Sequence, residues 1–266
     1  MLRPMLAIAL GLALAAPATS QTVGVNAAIR NKVLTKPVSA PQLRPAVLKA
    51  RVGLGEQVVT AASSMLQIVL LDRSNFTVGA NASVTIDKFV YDPSRSASAV
   101  GASVARGAFR FMSSKAVHNM PGQSAVRTPV AAIGVRGTVF EGVVGPDAVR
   151  IALGEAAAAS VSGADADSAT LVVLRGPAAT ATTPGGAIDV TANGRTVTVD
   201  RPGLAIFVPG PGKDAVGPFP ISDKGLLALH DLLRTTPDTR GQPQAFDIEG
   251  NPIVDLTIEA FNPQAD

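Results

Sequence analysis

Thr128-Pro129-Val130-Ala131-Ala132-Ile133-Gly134-Val135-Arg136-Gly137-Thr138-Val139-Phe140 is a short apolar run that opens on Thr-Pro and carries a single charge. Proline has no N–H to give a ladder, so Pro129 belongs at a strand start or a sheet edge. Beyond it the residues alternate. Ala131, Ile133 and Val135 face one side, Gly134 and Arg136 the other. Gly134 leaves room for a neighbouring backbone or large side chain, and Gly137 suits a bulge or a turn. The stretch reads as a strand of an all-β domain. Arg136 has two readings: a guanidinium that contacts a partner or an anion, or an architectural one that satisfies turn carbonyls or pairs with Asp72, Asp87 or Asp92.

The same rhythm runs through the chain. Strand-like segments fall at 57–60, 65–71, 75–79, 84–91 and 107–112, separated by Gly, Ser, Asn and Asp turns. Residues 22–29 suit an edge strand, and 30–48, with Pro37, Pro41 and Pro45, an extended surface segment. Residues 95–104 are polar and small and read as an exposed loop, and 115–120 continue as an extended piece. Further on, Val143-Val144 and 148–153 precede an Ala/Ser/Asp spacer at 156–169. A hairpin turns at Asn193-Gly194, and 204–208 leads to a Gly/Pro loop at 209–220. Ser222 to Arg234 is the one expected helix, with a Ser N-cap, Asp223 in its first turn and Pro237 beyond its end. Residues 253–258 read as a late strand. Strands at about 8–12 residue spacing, without helix-length runs between them, imply a sandwich, barrel or solenoid.

Composition agrees. Hydrophobic residues make up 47% of the 266, yet there is no Trp, one Tyr and nine Phe. A core of small aliphatic side chains suits many thin strands. With 20 Pro and 25 Gly the chain turns often. No Cys is present, which excludes disulfides, thiol catalysis and thiolate zinc sites. The net charge of +3 hides an asymmetry: sixteen Lys/Arg against six Asp/Glu in residues 1–150, seven against fourteen in 151–266. Arg30, Lys32, Lys36, Arg44, Lys49 and Arg51 precede the first acid, Glu56. Such a face attracts anionic polymers or simply balances the acidic half.

Residues 1–20 read as a secretory signal peptide: Arg3, an apolar run from Met5 to Ala16, Pro17, and small residues at a cleavage site after Ser20, with Ala18 the alternative. The apolar run is shorter than the ~20 residues that span a bilayer. The expectation is a periplasmic or secreted chain with no integral span after cleavage.

Several motifs together resemble one family. Leu54-Gly55-Glu56 with Val59-Thr60, Leu71-Asp72-Arg73-Ser74 with Thr77-Val78-Gly79, Asp87-Lys88-Phe89-Val90-Tyr91-Asp92-Pro93, Arg106-Gly107-Ala108-Phe109-Arg110-Phe111, and Thr128-Pro129 through Gly134, Arg136, Gly137 and Thr138 follow one another in the order seen in the FecR domain family. That family is named for the periplasmic part of the ferric-citrate signal transducer. The resemblance covers about residues 52–145 and, more loosely, extends to about 208. It implies an all-β, solenoid-like domain that works by protein–protein contact in the periplasm. Prototype members carry an anti-sigma segment and a transmembrane helix ahead of the domain; this chain resembles a stand-alone, secreted branch. Asp72, Asp87, Tyr91, Asp92, Pro93, Gly107, Thr128, Pro129, Gly134, Arg136, Gly137 and Thr138 are then structural motif residues. Arg73 stands where the family turn has Gly, so a type I geometry is expected there, and Ser114 stands where Gly is common.

The expected layout is a leader (1–20), a basic Pro-rich segment (21–50), the FecR-like core (51–154), a spacer (155–170), further strands (171–221), a helix (222–235) and a tail (236–266). The expected function is non-enzymatic binding of a protein partner or an envelope polymer, with cell-envelope signalling as its setting. An envelope or cell-wall structural role and a hydrolase using Asp87 with Asp92 are the alternatives. Tyr91 is expected in the core. His118 and His230 read as ordinary surface and core histidines, too few for a metal site. No cofactor fingerprint and no nucleophile elbow appear, and nucleic acid is not expected because no aromatics interleave the basic residues.

Overall fold

The computed structural model describes residues 20–120, 122–177 and 185–234. The expected leader (apart from Ser20), the tail and the strand at 253–258 lie outside them. The strands are β1 (Thr22–Arg30), β2 (Val33–Lys36), β3 (Arg44–Pro45), β4 (Arg51–Gly53), β5 (Gln57–Thr60), β6 (Met65–Leu70), β7 (Asn75–Val78), β8 (Ser83–Asp92), β9 (Ala97–Met112), β10 (Ser124–Arg127), β11 (Ala132–Arg136), β12 (Val139–Val144), β13 (Thr170–Gly176), β14 (Ala187–Ala192), β15 (Arg195–Val199), β16 (Leu204–Val208) and β17 (Val216–Pro220). Three helices join them: α1 (Lys115–His118), α2 (Pro146–Ala152) and α3 (Asp223–Leu233).

The fold is all-β, as the alternation demands. One sheet runs β4-β1-β6-β7-β9-β12-β13-β16-β17. The other runs β3-β2-β5-β8-β9-β10-β11-β14-β15, with β9 and β10 parallel. Strand β9 belongs to both. Its first ten residues pair with β8 in the second sheet; from Gly107 on it pairs with β12 in the first. Gly107 makes the crossing at φ 80°, with the Ala82 backbone packed where a side chain would stand. The chain thus winds between the two layers and closes a sandwich as it does so, which joins the solenoid and sandwich readings.

Inward residues of both layers form one apolar cluster, from Leu66, Ile68 and Leu70 on β6 to Ile133 and Val135 on β11. At its centre Phe76, Phe109, Phe111 and Phe140 meet with ring centroids 5.8–6.2 Å apart. Each such buried ring contributes about 1.5–3 kcal/mol relative to exposure. A second cluster lies on the outer face of the first sheet, where Ile151 of α2, Ala158, and Leu229 and Leu233 of α3 cover Val143, Leu171 and Phe207. Helix α3 starts as expected, with the Ser222 hydroxyl accepting from Gly225 N–H. The buried Glu155 accepts from both the backbone N–H and the hydroxyl of Ser222.

Several expectations fail for physical reasons. Residues 97–104 are strand, not exposed loop: β8 and β10 flank them, and small side chains let Ala99, Val100, Ala102 and Val104 bury. Residues 115–118 are a helical turn because Ser114 caps them, accepting from Val117 N–H. Residues 146–152 are helix α2 with Pro146 in its first turn. The stretch 30–48 is extended but is no mere surface segment, since β2 and β3 bring Val33, Ala46 and Leu48 into the core. Part of the 209–220 loop is β17, and the spacer at 156–169 packs Ala158 and Ala169 into the second cluster. Arg73 sits at φ 69°, in the left-handed region, and not in the type I geometry expected for it. Its N–H closes the turn onto the Leu70 carbonyl at 2.9 Å.

Candidate binding groove

Cross-strand register sets the outer face of the second sheet. Lys36 stands opposite Gln57, Gln57 opposite Thr85, Thr85 opposite Ser103, and Ser103 opposite Arg127. A neighbouring row runs Leu34, Val59, Ser83, Arg106. The two rows floor two concavities. One, of about 650 Å³, has Lys32, Asn81, Arg106, Asp147 and Asp167 around Leu34 and Val59. The other, of about 290 Å³, lies among Gln57, Thr85, Ser103, Arg127, Thr128 and Pro129. Ala105 lines the second and Arg106 the first, so the two meet along β9.

The opening stretch supplies the wall. Thr128 closes a tight turn, its N–H donating to the Ala131 carbonyl at 2.8 Å and its hydroxyl accepting from Ala131 N–H at 3.0 Å. Pro129, with no N–H to satisfy, sits at the tip of that turn between β10 and β11. Among the described residues Lys32, Lys36, Arg106 and Arg127 form no ion pair. Asp147 is held by Arg150 at 2.8 Å, and Asp87 accepts from the Ser103 hydroxyl. The groove therefore offers hydroxyl, amide and cationic groups, with its nearest carboxylates already engaged apart from Asp167.

The other motif residues build architecture. Asp72 is buried and accepts from Ser74 N–H and hydroxyl, both at 2.9 Å, and from the Ser114 hydroxyl at 3.2 Å. It thereby ties the β6–β7 turn to the cap of α1. Asp92 caps the turn containing Pro93; the Ser94 hydroxyl holds its carboxyl below the usual 3.8 against the opposing effect of desolvation, and the backbone N–H groups of Arg95 and Ser94 add to the depression. Thr138 is buried, its hydroxyl donating to the Gly176 carbonyl and its N–H to Ser113 Oγ at 2.7 Å. Gly137 takes φ 56° and packs against His118.

Four site expectations are corrected. Arg136 pairs with Asp189 at 3.0 Å, not with Asp72, Asp87 or Asp92; it stands diagonal to Asp189, which lies across from Gly134 in the β11–β14 register and also accepts from the Thr198 hydroxyl. Gly134 is not crowded, since an added Cβ would meet Asp189 Cβ at 3.6 Å, an ordinary contact. Tyr91 is 36% exposed and rests against Phe89 rather than in the core. Asp87 and Asp92 lie five residues apart on one strand, roughly 16 Å along it, beyond the ~10 Å limit for a glycosidase acid pair.

A buried ionic group lies elsewhere. Glu141 of β12 is buried, and its Oε1 accepts from Arg110 Nε at 2.8 Å and Nη2 at 2.6 Å. Its Oε2 lies 3.6 Å from Arg175 Nε. His230 of α3 faces this cluster. Burial pushes its pKa below 6.5, Arg234 adds to the depression and Glu141 opposes it. His118 of α1 packs against Gly137, and among the described residues no group of three or more ligating side chains gathers for a metal.

Fold and groove define a two-layer all-β module with a polar trough on one outer face. Residues 56–157, which span β5 to α2, match the family model described as FecR protein. No curated protein matches the chain. Among solved structures, one described as "Cell surface anchoring domain" is 22% identical over 24% of this chain and 84% of its own, at a TM-score of 0.23. A "putative anti-sigma factor" from Parabacteroides distasonis is 14% identical in one structure and 13% in another, over 60% of this chain and 57% of each, at TM-scores of 0.38 and 0.36. At such TM-scores these likenesses carry no inference. Among the described residues no helix is long and apolar enough to cross a membrane.

Proposed function

We propose that the chain is an exported, non-enzymatic FecR module that uses the groove to bind a protein partner or an envelope polymer outside the cytoplasm, in the service of envelope signalling. The observation that carries this reading is the groove itself: unpaired Lys32, Arg106 and Arg127 ring a polar trough within and beside the FecR domain. The signature turn at Thr128-Pro129 forms one of its walls, which gives that motif a role beyond packing. The leader-like residues 1–20 support export, and the domain fits the envelope setting of the family it matches. The test is retention of components from a periplasmic and envelope extract on the immobilised chain. A component held by the wild type and lost in Arg106→Glu supports the reading. An empty eluate from both fractions overturns it.

A further inference from the structure

We propose that the groove binds an acidic polysaccharide laid across β5, β8, β9 and β10. Its carboxylates sit at Arg106 and Arg127 and its hydroxyls on Gln57, Thr85 and Ser103. The inference rests on the binding role proposed above and narrows it to one class of ligand.

Three structural facts select that class. First, every strand under the trough is hydrogen-bonded on both sides. An extended peptide cannot add to it as a further strand, which removes the commonest mode of peptide capture by a sheet. Second, neither concavity has an aromatic in its lining. The stacking platform that single-stranded nucleic acid needs is missing, and so is the desolvated aromatic anchor typical of a protein hot spot. Third, the floor of the smaller concavity carries the side chains of Gln57, Thr85 and Ser103, polar groups of the kind sugar hydroxyls meet, with the Ser103 hydroxyl, whose proton goes to Asp87, left as an acceptor.

Charge sets the rest. Arg127 stands opposite Ser103, three residues before Arg106, so the two cations are spaced about 10 Å along β9. They are fixed on interior strands, not on mobile loops. Lys36 extends the same row beyond Gln57. Asp147, which lines the larger concavity with Arg106, is neutralised by Arg150, so Lys32, Arg106 and Arg127 face only Asp167 and the groove is net positive. A polymer with regularly spaced carboxylates satisfies both cations while its hydroxyls meet the floor.

Binding of polygalacturonate to the full chain tests this, with neutral dextran, polyglutamate and oligothymidylate as the other probes. The wild type is expected to hold polygalacturonate at least tenfold more tightly than the other three, and less tightly as salt rises. Arg106→Gln/Arg127→Gln loses at least tenfold of that affinity at an unchanged melting temperature. Thr85→Phe, which fills the trough and keeps both cations, loses it too. Polygalacturonate held no better than dextran overturns the proposal. So does equal binding of polyglutamate or oligothymidylate, or undiminished binding by the well-folded double variant. A chain that retains an envelope component but ignores polygalacturonate defeats this assignment alone; one that retains neither defeats the binding role as well.

Discussion

The imidazole of His118 occupies the space that a side chain at Gly137 would need: an added Cβ would find the ring at contact-breaking range, with Cγ at 2.8 Å. This fit adds to the Ser113–Thr138 hydrogen bonds that hold helix α1 against the signature stretch, and the φ of 56° at Gly137 adds a second reason for glycine. Gly137→Ala is expected to cost about 3 kcal/mol, the backbone penalty and the overpacking together. Urea unfolding measures it. His118→Ala/Gly137→Ala should recover the overpacking part and leave the backbone part, so a double variant no better than the single one would refute the fit.

Arg73 runs the opposite experiment. It holds a left-handed conformation that glycine adopts without cost, inside a turn otherwise anchored by Asp72. Arg73→Gly is expected to stabilise the chain by up to about 1 kcal/mol, because relief of strain outweighs the added freedom of the unfolded chain. A shift of the denaturant midpoint to lower concentration would contradict this.

The Arg136–Asp189 pair is half open to solvent, with side-chain exposures of 42% and 34%. Exposed pairs contribute little, so Arg136→Ala should lower stability by less than about 1 kcal/mol. Thermal melting at low and high salt checks it, and the difference between wild type and variant should shrink with salt.

Glu155 has no solvent and two obligations, the N–H and the hydroxyl of Ser222. Glu155→Ala leaves the first turn of α3 without its outer cap and should cost about 2 kcal/mol. Hydrogen exchange localises the loss: amides of α3 should open before those of β6 or β12.

His230 gives the fold a pH dependence of definite sign. Its folded pKa lies below 6.5, so the unfolded chain takes up the proton more readily. The stabilisation is complete above about pH 6.5 and is lost as pH falls toward the lowered folded value. His230→Gln removes that contribution. Urea midpoints of the wild type should therefore fall more steeply than those of the variant between pH 7.5 and 5; equal slopes would rule the residue out as the source.

Much of the fold was legible because local chemistry and layer alternation agree. Asn193-Gly194 marked its hairpin, and both residues do take positive φ, at 48° and 73°. Ile133 and Val135 faced inward as the period of two requires. The failures occurred where small residues hide a strand. Residues 97–104 look like loop because Ala, Ser and Gly show no apolar contrast, and only the neighbours β8 and β10 make them interior. Helix α1 was missed because one Ser114 cap outweighs a strand-like composition over four residues. The groove could not be read at all. Gln57, Thr85, Ser103 and Arg127 are distant in sequence, each an unremarkable outward position, and only register aligns them.

Strand β9 carries a mechanical consequence. One unbroken chain is woven into both layers, with Gly107 as the crossing point. A pull on either layer is therefore transmitted covalently to the other within a single strand. Whatever tension a ligand on the outer face of one sheet exerts, the helix-covered face of the other is tethered to it through a single backbone.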